Sequence, residues 1–168
     1  MDERTRDAIL KQIEAEPFAK KFGIRLMDVQ EGYARAQMVF TPDMENIFGM
    51  AHGGAIFSLI DAVFEVASNS HGTMAVALNM NVNYLASPGK GALLTAEATE
   101  TNKTKKTAAY DIRATDDSGK LLRAQVFISF HDRPSVWRIV KNRVTLARLQ
   151  ADIQPPPKCT ACGQPIKE

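Results

Sequence analysis

Apolar residues at Ile56, Leu59, Ile60, Val63, Phe64 and Ala67 recur at i, i+3, i+4 spacing and predict a helix from about Gly54 to Ser70, closed by His71-Gly72. Val76, Leu78, Met80, Val82 and Tyr84 then alternate with Ala77, Asn79, Asn81 and Asn83, which predicts a strand with one apolar and one mostly amide face. Two strands precede the helix: Phe22 to Val29 alternates loosely, and Tyr33 to Phe40 follows a turn at Gly32. Leu93 to Glu100 is a further strand. Thr107–Thr115 and Leu121–His131 flank Asp116-Asp117-Ser118-Gly119, a hairpin signal. A short helix over residues 5–16 carries Ile9, Leu10 and Ile13 as its stripe and is stopped by Pro17. One long helix with two strands before it and four after favours antiparallel pairing of consecutive strands with the helix on one face. The class is α+β rather than βαβ.

Beyond this core, Pro134 to Ile153 reads as a further helix with Trp137, Val140, Val144 and Ala147 on one face. The last stretch, PPPKCTACGQPIKE, is proline-rich and polar and reads as a mobile tail over 154–168.

Length and charge narrow the picture. A chain of 168 residues suggests one domain. A net charge of +2 is too small to imply nucleic acid or acidic lipid as a partner. No apolar run approaches the roughly 18 residues of a membrane span, and MDERTRDAILKQ has no secretory h-region. Two cysteines are too few for a disulfide framework. The expectation is a soluble, cytoplasmic protein.

Asp61 lies within the apolar stretch of the long helix. On the same side at helical spacing stand Gly54, Ser58, Glu65 and Ser68, so this is either a narrow wet stripe or a mostly buried carboxylate. His52-Gly53-Gly54 opens the helix. Its first N–H groups carry the positive end of the dipole and could hold an oxyanion or a thioester carbonyl oxygen, although such glycines also make plain turns. Asn46 is a candidate for binding substrate or water, or a turn residue. Glu65, one turn beyond Asp61, either raises the pKa of a carboxylate pair or faces solvent. Asn102-Lys103-Thr104-Lys105-Lys106-Thr107 reads as a solvated basic hairpin tip. Cys159-x2-Cys162 supplies only half of a structural zinc set.

Taken together, Asn46-x5-His52-Gly53-Gly54-x6-Asp61 followed by Asn81-Val82-Asn83-Tyr84-Leu85-x2-Pro88-Gly89 resembles the hotdog-fold acyl-CoA thioesterases of the phenylacetic-acid-degradation type, over about residues 18–131. The resemblance implies a hotdog domain over 1–133, with a curved antiparallel sheet wrapped around the long helix. It also implies a homodimer or a dimer of dimers, with sites between subunits. It implies hydrolysis of an acyl-CoA to a carboxylic acid and CoA without metal or redox cofactor. The Gly53 N–H would polarise the thioester carbonyl. Asp61 of the opposite subunit would act as nucleophile or general base, and Asn46 would position water or substrate. His52, Gly54, Glu65 and Asn83 would line the substrate site. Lys103, Lys105 and Lys106 would attract the CoA nucleotide, with Arg123 and Arg133 as weaker candidates. Where some relatives carry a Ser or Thr that assists the water, this chain has Ala77. That departure leaves a second class open, a non-catalytic acyl-CoA-binding hotdog protein. A hotdog dehydratase, which relies on a catalytic His, fits less well.

Overall fold

In a computed structural model, residues 1–119 and the backbone of 121–130 are described. The expected helix over 134–153, the tail, His131, Arg133, Cys159 and Cys162 lie outside them, as does the side chain of Arg123. The elements run α1 (Glu3–Ala15), α2 (Pro17–Phe22), β1 (Arg25–Gln30), β2 (Tyr33–Val39), α3 (Gly53–Asn69), β3 (Ala75–Asn83), β4 (Leu93–Lys103), β5 (Thr107–Thr115) and β6 (Leu121–Phe130), with a 3-10 turn at Pro42–Met44.

The two strands before the long helix and four after it are all present. The register between them differs from a simple meander. The order is β1-β2-β4-β5-β6-β3, so β2 pairs with β4, and β3 pairs antiparallel with β6 at the sheet edge instead of with its neighbour β4. Pro17 stops α1 as expected, with Glu16 extended before it, and it also starts a second helix. It occupies the first turn of α2, where its fixed φ suits a helix start and its missing N–H costs nothing. The strand expected from Phe22 therefore begins at Arg25, after Gly23 ends α2 at φ 64°.

The sheet face beneath α3 is lined by alanines. Ala34 and Ala36 of β2 and Ala96 and Ala98 of β4 are all essentially inaccessible. These small side chains let the helix lie close, and Leu59, Ile60 and Val63 are fully buried. Phe64 meets Tyr110 of β5 edge-on at 5.7 Å between ring centroids. Burying a Leu or Ile here is worth about 1.5–3 kcal/mol each.

Edge strand β3 holds a bulge. Ala77 pairs with Ile128 and Asn79 with Phe127, so Leu78 is the extra residue. The bulge resets the expected two-residue alternation. Met80 and Val82 pack on the core, whereas Val76 and Leu78 are exposed.

Candidate active site

Helix α3 carries most of the candidate residues. Its exposed side is not the expected run of small polar residues. Ser58 and Ser68 are buried and donate to the carbonyls of Gly54 (2.8 Å) and Glu65 (3.2 Å). The open line instead runs Gly54, Phe57, Asp61, Glu65, at spacings of three and four residues. Phe57 is 37% exposed, and Asp61, one turn further on, is half-buried.

Burial raises the Asp61 pKa above the usual carboxylate value of 3.8. Desolvation is the cause, since it penalises the charged form. Among the described residues its carboxylate has no hydrogen-bond or ion-pair partner. A half-desolvated carboxylate without a compensating donor is costly, which makes Asp61 a candidate for chemistry or for a partner surface. Glu65 is exposed.

The start of α3 is arranged by side chains. His52 is the N-cap, and its Nδ1 accepts the Gly54 N–H at 2.9 Å. A neutral His52 is thereby a tautomer with its proton on Nε2. Ala55 and Ile56 donate to the His52 carbonyl at 3.0 and 3.4 Å. Of the first four N–H groups, that of Gly53 alone has no partner among the described residues, and it faces out at the positive end of the helix.

Asn46 closes the loop that delivers His52. Its Oδ1 accepts the N–H groups of Phe48 (2.9 Å) and Met50 (3.2 Å), and its backbone N–H donates to the Met50 carbonyl at 2.7 Å. Only its side-chain NH2 is left to meet a ligand. The turn role therefore leaves that NH2 without a partner among the described residues.

Tyr84, just past the end of β3, packs on Gly53. Its hydroxyl donates to the Gly53 carbonyl at 3.1 Å. Nothing in its alternating strand pattern signals this contact, because it depends on where the end of β3 meets a helix 31 residues away. Asn83, beside it, is exposed. Tyr84, Gly53 and Ile56, with Met50, Leu85 and Ser87, line a mostly apolar groove of about 280 Å³.

The basic loop stands elsewhere. Strand β4 runs alongside α3 and ends at Lys103, whose Nζ is 3.0 Å from His71 Nδ1, beyond the C-terminal end of α3. Helix α3, with 17 residues, is about 25 Å long, so within one chain the lysines are a helix length from Gly53. Lys105 and Lys106 are exposed at the hairpin tip.

Among the described residues, no group of three His, Cys, Asp or Glu side chains could hold a metal ion, and no helix is long and apolar enough to cross a membrane.

A long helix cradled by an antiparallel sheet, starting at His-Gly-Gly and carrying a desolvated aspartate, is the arrangement of a hotdog thioesterase. The structure of the PaaI protein from the phenylacetic acid degradation operon of Escherichia coli matches at a TM-score of 0.73 and 30% identity, over 76% of this chain and 93% of that one. The sequence model of the thioesterase superfamily matches residues 48–123. The acyl-coenzyme A thioesterase PaaI of Escherichia coli is 37% identical over 102 residues, 61% of this chain and 73% of the relative. The 1,4-dihydroxy-2-naphthoyl-CoA hydrolase of Listeria monocytogenes is 32% identical over 103 residues, 60% of this chain and 83% of that one. The chain belongs to the thioesterase superfamily as a PaaI-like hotdog enzyme that hydrolyses thioesters.

Proposed function

We propose that the enzyme cleaves acyl-CoA thioesters at a site shared by two subunits. The observation that carries this reading is the separation of Gly53 and Asp61. They lie eight residues apart on one helix, or about 12 Å along its axis. A carbonyl held by the Gly53 N–H cannot also be within about 3 Å of the same chain's Asp61 or of a water bound to it. A second copy can supply the missing half. Edge strand β3 offers unpaired backbone and exposed Val76 and Leu78, and Ile47, Phe48, Tyr84 and Leu85 extend the apolar surface. Such an edge is a template for another strand, which supports a homodimer, or a dimer of dimers, with continuous sheets. The names of the Escherichia coli and Listeria monocytogenes relatives support a CoA ester as substrate.

In this scheme the Gly53 N–H of one subunit donates to the thioester oxygen as negative charge grows on it, helped by the helix dipole. Asp61 of the other subunit acts by one of two routes. It removes a proton from water, whose oxygen adds to the carbonyl carbon, or it attacks that carbon itself to give an anhydride that water then opens. In either case the C–S bond breaks, CoA leaves as thiolate and takes up a proton, and the acid is released. Asn46 donates from its NH2 to the water or the carbonyl. His52 fixes the helix start, Gly54 keeps the approach clear of side chains, and Glu65 and Asn83 border the opening. Lys103, Lys105 and Lys106 of the second subunit attract the nucleotide phosphates. Ala77 offers no hydroxyl, so water activation falls to Asp61 and Asn46.

The test is a thiol-release assay over aryl, short-chain and medium-chain acyl-CoA esters, with Asp61→Asn beside the wild type. Turnover should fall by orders of magnitude in the variant while it stays folded. Comparable activity in Asp61→Asn would remove this carboxylate from the mechanism. Single turnover in 18O-labelled water separates the two routes: general-base attack places solvent oxygen in the acid product, whereas attack by Asp61 and opening of the anhydride at the aspartyl carbon place it in the Asp61 carboxylate and leave the product unlabelled.

A further inference from the structure

Glycine at an oxyanion site solves one problem and creates another. Without a Cβ, Gly53 lets a substrate carbonyl approach its N–H, but the same freedom leaves its backbone poorly fixed. A donor that must reorient during reaction loses much of its value, since preorganisation is what makes such groups effective. Two side chains remove that freedom. The peptide joining Gly53 to Gly54 is held at both ends: its carbonyl accepts the Tyr84 hydroxyl at 3.1 Å, and its N–H donates to His52 Nδ1 at 2.9 Å.

Packing points the same way. A Cβ on Gly53 would sit 3.3 Å from Tyr84 Cζ, and one on Gly54 would sit 3.0 Å from His52 Nδ1. A side chain at either glycine would push its clamping residue back by a few tenths of an ångström. Tyr84 is 50% exposed, so burial does not force its hydroxyl onto a protein acceptor, and water could satisfy it equally well. The ring nevertheless lies over the Gly53 Cα with its hydroxyl on the adjoining carbonyl.

We infer that Tyr84 is a positioning residue: it locks the Gly53-Gly54 peptide against His52 and so aims the Gly53 N–H at the thioester oxygen. This rests on the proposed function of Gly53. Tyr84 acts through the backbone rather than on the reacting atoms, and its ring forms one wall of the groove that opens beside Gly53.

Tyr84→Phe keeps the ring against Gly53 and removes only the hydroxyl. Two readouts are taken on the full-length protein: steady-state kinetics with the best acyl-CoA ester, and the water-exchange rate of the Gly54 amide by NMR. The expected result is a kcat lower by roughly 10- to 100-fold, as a misaimed group would give. KM stays within about twofold, Gly54 exchange is faster, and amides in the middle of α3 are unchanged. An unchanged kcat overturns the inference. So does a rise in KM alone, which would make Tyr84 only a groove wall. A fall in kcat with unchanged Gly54 exchange also overturns it, because the hydroxyl would then act on substrate directly. If the wild type hydrolyses no thioester, the proposed function fails on its own. Gly54 exchange then decides the clamp alone, with unchanged exchange in Tyr84→Phe overturning it.

Discussion

Gly53 and Asp61 occupy one helix, at its first turn and its middle, about 12 Å apart along the axis. A site that needs both must draw them from different chains. Mixing Gly53→Val subunits with Asp61→Asn subunits tests this. After exchange, half of the dimers are mixed, and each mixed dimer has one intact site of two, so about a quarter of wild-type activity should return. A site built within one chain predicts no recovery at all.

In the proposed mechanism Asp61 acts in its ionised form, and burial raises its pKa above the ordinary carboxylate value. The acid limb of kcat/KM should therefore lie above that value, with activity lost as pH falls through it. Stability carries the opposite sign. Folding disfavours the ionised form, so the folded protein is penalised at any pH where Asp61 is charged. Asp61→Asn should raise Tm at neutral pH by about 2–4 °C per kcal/mol of relief. The gain should vanish as pH falls through the folded pKa and below the unfolded one. A pH-independent Tm difference would contradict the desolvation account.

Val76 and Leu78 stand exposed on the outer strand of the sheet. Replacing Leu78 by Lys places a charge where the second subunit's strand is proposed to pair, a device that natural edges use against association. The expected outcome is a smaller species by sedimentation and a parallel loss of thioesterase activity. An active protein of unchanged size would send the interface elsewhere.

At the other end of α3, His71 Nε2 lies 2.6 Å from Glu100 Oε2, and the Tyr110 hydroxyl donates to the same oxygen at 2.8 Å. The His71 side chain is only 8% exposed. His71→Ala removes one partner of a shielded carboxylate and should cost about 1–3 kcal/mol, read as a lower denaturation midpoint. Stability equal to wild type would mean that water replaces the imidazole fully.

Lys105 and Lys106 point into solvent, whereas Lys103 is held beside His71. Lys105→Ala/Lys106→Ala should raise KM for acyl-CoA several-fold at low salt, and less at about 0.15 M. A short thioester lacking the nucleotide should be unaffected. Equal effects on both esters would rule out a role in holding phosphate.

The long helix was legible because Ile56, Leu59, Ile60, Val63 and Phe64 repeat with the helical period, and its bounds shift by only one residue. The turn at Asp116 was legible because its chemistry is local: Asp116 Oδ1 accepts the Ser118 N–H at 2.9 Å, and Gly119 takes φ 77°. Pairing of β3 with β6 was not legible, since strand alternation fixes a face and not a neighbour. Proline at residue 17 carries two meanings that both apply, since it ends α1 and starts α2, and the second depends on the residues after it. At the candidate site, the spacing of Asn46, His52, Gly53, Gly54 and Asp61 singled out the loop before α3 and the first half of that helix. The division of labour inside it was hidden: the Gly54 N–H is engaged by His52, the Asn46 carbonyl is engaged by its own loop, and Phe57 takes the exposed place that Ser58 was expected to hold.

Leu78 also divides the strand's duties. As the unpaired residue of the β3 bulge, it lets even-numbered positions serve the interior at Met80 and Val82 and the outside at Val76. Shortening the chain by that residue would tidy the ladder and restore strict alternation. It would leave Met80 and Val82 opposite the same residues of β6 and take one of two neighbouring apolar side chains from the outer edge. The irregularity in the sheet therefore works as a change of sides: one strand packs inward at one end and offers apolar surface outward at the other.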